Sequence, residues 1–263
     1  MVYLTQGTNS PVFFFMDDAM KVGQQDFSLP HDVVKLPSQG VFYKSKKKSV
    51  KVGFLTAADE NIILSSPAED MVMNLIRSKV YEPDLRPDEM LNGDIEAILI
   101  FLRNTAFGPE YKISVLDPTT NKRFSSSIQL DELDFKKCEV QPDEDGTFTT
   151  ILPKSNVSVK IRPLTYKEIT EINRMAESYP TGRPAPKVTW KLNKQIESLN
   201  GDPNPQNIAK FVESMPIMDS KHIRNFLVDN EPGLELTRTV STPSGEKVDV
   251  SIAFGVEFFR VFF

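Results

Sequence analysis

SVKVGFLTAADE (Ser49 to Glu60) and SVKIRPLTYKEI (Ser158 to Ile169) are the same phrase written twice, 109 positions apart. In each, an alternating apolar run gives way to Leu-Thr, and an acid follows the threonine by three positions: Asp59 after Thr56, Glu168 after Thr165. Val-Lys-Val and Val-Lys-Ile suit a strand with one buried face. A threonine at the following corner caps a helix with its hydroxyl. An acid three residues on answers the cap's own N–H, the arrangement of a capping box. The phrase therefore predicts strand, corner and capped helix at two places in one chain.

A second, longer correspondence runs without a gap. Met90, Asp94, Ile98, Phe101, Leu102 and Gly108 lie 125 positions before Met215, Asp219, Ile223, Phe226, Leu227 and Gly233. Val115, Pro118 and Lys122 continue the series onto Val240, Pro243 and Lys247. The shared pattern is a helix opened by an aspartate, a closing glycine, and a β-hairpin. Its tips, Asp117 to Asn121 and Thr242 to Gly245, are made of turn formers. One step on, Ile128, Leu130 and Phe135 precede Ile252, Phe254 and Phe259 by 124 positions. The change of offset places about 16 extra residues in the second copy, within the proline-rich stretch Tyr179 to Pro205. The expected fold is α+β, a tandem duplication of a strand–helices–β-hairpin unit. Independent origin of two similar units is the competing account.

These correspondences set the boundaries: an amino-terminal arm at 1–30, a first unit at 31–140, an acidic linker at 141–148 and a second unit at 149–263 with a Phe-rich tail. Helices are expected near 57–64, 68–80 and 93–106, then near 166–178, 188–199, 205–214 and 219–230. Hairpins are expected at 111–130 and 235–254.

Composition narrows the function. A formal charge of −5 and a pI near 5.3 argue against a chain whose work is gripping nucleic acid. No apolar run approaches the roughly 20 residues of a membrane span, and no signal peptide opens the sequence, so a reducing cytoplasm is expected. One cysteine, Cys138, and two histidines, His31 and His222, provide no metal-ligand cluster. Cys138 follows Lys136 and Lys137, so a lowered thiol pKa is one reading and a tolerated thiol the other. No Walker loop, GxGxxG or GxSxG occurs, and no catalytic, cofactor or metal residue is expected. The basic run Lys44 to Lys48 reads as a solvated loop or as a contact for an acidic protein face.

The apolar ends are the candidate partner interface. Phe13, Phe14 and Phe15 form either an edge strand on the chain's own core or an arm added to a neighbour's sheet. Phe258, Phe259, Phe262 and Phe263 concentrate aromatic area near the carboxyl end. Packing within the second unit is the competing account of Phe258 and Phe259.

The order LPSQG (Leu36 to Gly40), apolar strand, FLTAADENIILSS (Phe54 to Ser66) and the Phe258-Phe259 pair after a hairpin resembles the baseplate-hub and hub-assembly proteins of T-even-like contractile-tailed bacteriophages. PLTYKE (Pro163 to Glu168) reads as a worn second copy, and LPKSN (Leu152 to Asn156) departs from LPSQG. The resemblance implies a protein without enzymatic activity, resident in the virion tail baseplate and in host cytoplasm during assembly. It would bind other hub, tube or tape-measure proteins. A transient assembly chaperone absent from the finished virion is the alternative, and a cell-wall hydrolase with an unrecognised carboxylate pair is the reading from another class.

Overall fold

The computed structural model describes residues 30–65, 68–254 and 256–259. The described residues open on an antiparallel pair, β1 (His31–Lys35) and β2 (Ser49–Gly53), with Val34 opposite Val50. Val50 and Val52 are fully buried and the intervening Lys51 is exposed, so the alternation read from the sequence fixes which face meets the core. Then come α1 (Ala57–Ser65), α2 (Ala68–Lys79), a 3-10 turn at Pro87–Glu89, α3 (Asn92–Phe107), and the hairpin of β3 (Glu110–Asp117) and β4 (Lys122–Gln129).

The second half repeats the opening and the close. β5 (Phe148–Ile151) and β6 (Ser158–Ile161) pair antiparallel, α4 (Tyr166–Glu177) follows, and α7 (Ile217–Asn230) leads into the hairpin β8 (Thr237–Ser241)–β9 (Lys247–Ser251). Between α4 and α7 lie α5 (Lys187–Gln195), β7 (Ile196–Leu199) and α6 (Pro205–Ser214). A short α8 (Val256–Phe259) comes last among the described residues. The architecture is α+β, as expected.

The expected helix over 188–199 needs correction: it ends at Gln195, and Ile196–Leu199 is a third strand, β7, antiparallel to β6. Val188, Leu192, Ile196 and Leu199 recur at helical spacing, but a free sheet edge competes for the segment. Val159 takes Leu199 as its partner and Ile161 takes Ile196, while the Arg162 amide donates to the Gln195 carbonyl.

The two copies of the phrase cap their helices differently. At α4 the capping box is complete: the Glu168 amide donates to Thr165 Oγ1 at 3.2 Å, and the Thr165 amide donates to Glu168 Oε2 at 3.0 Å. At α1 both the amide and the hydroxyl of Thr56 donate to Asp59 Oδ2, each at 2.7 Å. The Asp59 amide turns to the Thr56 carbonyl instead. Asp59 is also paired with Lys79 in a buried ion pair that ties α1 to the end of α2. Burial works to raise the Asp59 carboxyl, but the bonds from Lys79 and Thr56 outweigh it and hold it below the usual range.

Two apolar clusters form the interior. One gathers Val50, Leu75, Ile76, Ile95, Ile98 and Leu102 from the first half, together with Ile252, Phe258 and Phe259, which follow the second hairpin. The other gathers Phe148, Leu152, Val159, Ile161, Ile223 and Leu227 from the second half. Phe42 packs against both. Packing of Phe258 and Phe259 within the second unit is thereby corrected: that pair completes the interior of the first.

Candidate functional site

Two buried aspartates organise the molecule. Asp94, in the first turn of α3, accepts from the Ser38 amide at 2.9 Å, from Ser38 Oγ at 2.5 Å, and from the Tyr43 hydroxyl. The Tyr43 oxygen in turn accepts from the Leu91 amide at 2.9 Å. Asp219, in the first turn of α7, accepts from the amides of Lys154 at 2.7 Å and Ser155 at 2.9 Å. Both acids are wholly buried and stand where a helix dipole favours negative charge. Each stitches the Leu-Pro turn of its leading hairpin, Leu36-Pro37 or Leu152-Pro153, onto the long helix of its half.

This explains LPSQG and its departure LPKSN. Gly40 sits at φ +74°, and a Cβ there would lie 2.5 Å from the Lys47 carbonyl oxygen, so glycine is the residue that fits. Asn156, matched by position from the buried leucines, is also left-handed at φ +57°. Amides alone hold Asp219, so no counterpart of the Ser38 hydroxyl is needed there. Burial raises the Asp94 carboxyl against the pull of its Ser38 and Tyr43 bonds. Burial, then the Asp94 charge, pushes the Tyr43 phenol well above its ordinary value. Asp94 and Asp219 were visible in the sequence as matched positions; their loop partners were not.

The halves meet along a joint built largely from backbone. The Tyr166 amide donates to the Met90 carbonyl at 2.8 Å, and Leu91 bridges Thr165. Gly93 lies so close to the end of α7 that a Cβ would fall 2.3 Å from the Pro232 carbonyl oxygen. The Lys136 amide donates to the Gly233 carbonyl at 2.9 Å, and Ser244 Oγ donates to Asp117 Oδ1 at 2.9 Å, joining the two hairpin tips. Burial raises the carboxyls of Glu96 and Glu231 to about 7. At Glu231, Lys136 and Lys191 pull the other way, and the charge of Glu96 adds to the rise.

The basic run is partly committed to the chain itself. Lys46 Nζ donates to the carbonyls of Val41 and Glu144, and Lys47 pairs with Glu82 at 3.1 Å. The acidic stretch after Val140 is pinned as well: the Val140 amide donates to Asn230 Oδ1 at 2.7 Å, and the Asp143 amide to the Thr147 carbonyl at 2.7 Å.

Arg103 closes the molecule. The residue is 2% exposed, and its guanidinium donates to the carbonyls of Phe258, Gly108 and Glu110 at 3.2, 2.9 and 3.2 Å. It also lies over the rings of Tyr111 and Phe258, at 4.9 and 5.6 Å. The Phe258 ring meets Tyr111, Phe254 and Phe259 at centroid distances of 5.3, 4.9 and 5.2 Å. Phe258 and Phe259, expected on a partner surface, are therefore interior residues of their own chain. Phe13, Phe14, Phe15, Phe262 and Phe263 lie outside the described residues.

Several polar groups elsewhere are bound to one another. A groove of about 400 Å³ between the halves is lined by Lys44, Asp88, Glu89, Arg162 and Glu168 among others. Within it Arg162 holds Glu168 through two nitrogens and reaches Glu197 at 2.9 Å. His222 Nε2 shares a hydrogen bond with Thr150 Oγ1 at 2.9 Å. Burial raises the Cys138 thiol, with Lys136 opposing, so the lowered-pKa reading is corrected. Among the described residues no group of three or more His, Cys, Asp or Glu is placed to hold a metal. None of the helices searched there is long and apolar enough to cross a membrane.

Residues 36–260 match the family described as T4 bacteriophage base plate protein. The chain belongs to that family. The match begins at Leu36, the first residue of the turn held by Asp94, and runs past Phe259, so it embraces both aspartates, the joint and the clasp. Family membership makes this a phage baseplate protein, with other tail and baseplate proteins as its class of partner. No curated protein and no solved structure matches the chain.

Proposed function

We propose that this baseplate protein is a structural component of the baseplate hub, binding hub, tube or tape-measure proteins through its surfaces and performing no chemistry of its own. The observation that supports this reading is how the interior polar groups are used. Asp94, Asp219 and Arg103 are each bound by the chain's own backbone, spent on holding loops and the tail in place. Fixed loops and a pinned tail suit a part that must present one shape to its neighbours, because rigid partners lose less freedom on docking. Descent of both halves from one duplicated module belongs to the same proposal. It draws support from the repeated order of elements and from the two aspartate-held turns.

Mass spectrometry of purified tails tests the assignment. The chain is expected in finished particles at a fixed ratio to other baseplate proteins. Its presence during infection and absence from tails would replace the structural role with that of an assembly chaperone.

A further inference from the structure

The joint between the halves has a counterpart in the second half that the described residues leave open. Asn92 and Gly93 open α3, Asn92 half-buried and Gly93 covered where it meets Pro232 and Gly233. At the same offset, Ile217 and Met218 open α7, and they are 82% and 61% exposed. Three turns along, Val228 is 65% exposed. These are three of the four most exposed large hydrophobic residues among those described. The fourth, Ile151, belongs to β5, where alternation turns it away from the helix that Thr150 faces.

Helical spacing puts Ile217, Lys221, Arg224 and Val228 on one stripe with Met218 and Asn225 beside it. Lys221, Arg224 and Asn225 are all exposed. Lys154, also exposed, stands at the same end, since its amide is bound to Asp219. The one exposed acid of α7, Asp229, sits at the far end. The stripe is therefore apolar at its ends and basic between them, on a chain of net charge −5.

We infer that this face of α7 is a docking surface for an acidic segment with apolar anchors from a different baseplate protein, an inference that rests on the proposed structural role. A second copy of this chain is the other obvious occupant, and the joint argues against it. Gly93 is what lets the helices approach: a Cβ there would lie 2.3 Å from one backbone atom and 2.6 Å from another. Met218 stands at that position in the second half, so a further copy cannot stack on α7 as the second half stacks on α3. The methionine blocks head-to-tail growth and offers an adaptable apolar contact. The lysine and arginine select an acidic partner.

The test places a photoreactive benzoylphenylalanine at position 218 of the full chain during infection and identifies cross-linked peptides by mass spectrometry. The expected product joins position 218 to a peptide of another baseplate protein in which Asp or Glu flank apolar residues. Its yield should fall about tenfold in Lys221→Glu/Arg224→Glu, a pair of surface changes expected to leave the melting temperature unchanged. Cross-links to a second copy, no cross-link at 218, or a yield indifferent to the charge reversal would each overturn the inference. If the expected product forms in cells but purified tails lack the chain, the surface stands and the structural role falls. If tails contain the chain and position 218 yields nothing, the surface falls and the role stands.

Discussion

Asp94 and Asp219 do the same work in unequal surroundings. Asp94 is held by an amide and two hydroxyls, in a core completed by residues from the far end of the chain. Asp219 is held by two amides, beside a core supplied by its own half and Phe42. The difference is one of dependence. The second half contains nearly everything its interior needs, whereas the first borrows Ile252, Phe258 and Phe259 to fill its own.

Removing the borrowed ring should break that comparison most visibly. Phe258→Ala is expected to cost about 3–5 kcal/mol, the usual range for deleting a buried aromatic. Amide exchange should quicken at Val50 and Ile98 and stay slow at Val159 and Ile223. Equal loosening in both halves would show that the chain opens as one cooperative body and that the asymmetry has no energetic meaning.

Next in size are the aspartates themselves. Asp94→Ala strands the Tyr43 and Ser38 hydroxyls as well as an amide in a dry site, for an expected loss of about 3 kcal/mol. Asp219→Ala strands two amides in part-buried surroundings, for about 1–2 kcal/mol. Denaturant midpoints of the two variants decide it, and equal losses would remove the distinction between hydroxyl-rich and amide-only sites.

The smallest effect belongs to the joint. Glu96 and Glu231 are raised in the fold from an ordinary 4.5 to about 7. Over that interval the folded chain holds protons the unfolded chain has released, so stability falls as pH climbs from about 4.5 to about 7 and stays reduced above it. Asp59, depressed by Lys79 and Thr56 despite its burial, acts with the opposite sign: its contribution is lost as the solution becomes acid. Glu96→Gln and Glu231→Gln should flatten the neutral-range slope and raise stability at pH 8 by about 1 kcal/mol each. Thermal melts across pH 5 to 8 measure this. An unchanged slope would mean the acids are better solvated than their positions imply.

Much of this architecture was legible in the sequence because its signals are local. Thr56 with Asp59 and Thr165 with Glu168 announce helix starts, Asp117-Pro118 and Pro243-Ser244-Gly245 announce hairpin tips, and the matched offsets order the elements. What escaped notice depends on distant partners. Leu192, Ile196 and Leu199 fit a helix until the edge of β6 is there to pair with them. Phe258 and Phe259 read equally well as core or as surface, because nothing nearby says that Arg103 waits for the Phe258 carbonyl. Arg103 itself left a faint trace, a lone cation closing the apolar run Ile98 to Leu102. Ile217 and Met218 precede the helix expected at 219–230, and their exposure shows only in the fold.

The clasp around Phe258 also has a consequence for synthesis. A ribosome delivers β1 through β4 long before Phe258 emerges, so the first half must wait with part of its interior open while the second half is made. Residues made after the second half, rather than those of the first half alone, complete the first core. A nascent chain halted before Phe258 carries an unfilled aromatic slot beside Tyr111 and an arginine without one of its carbonyls.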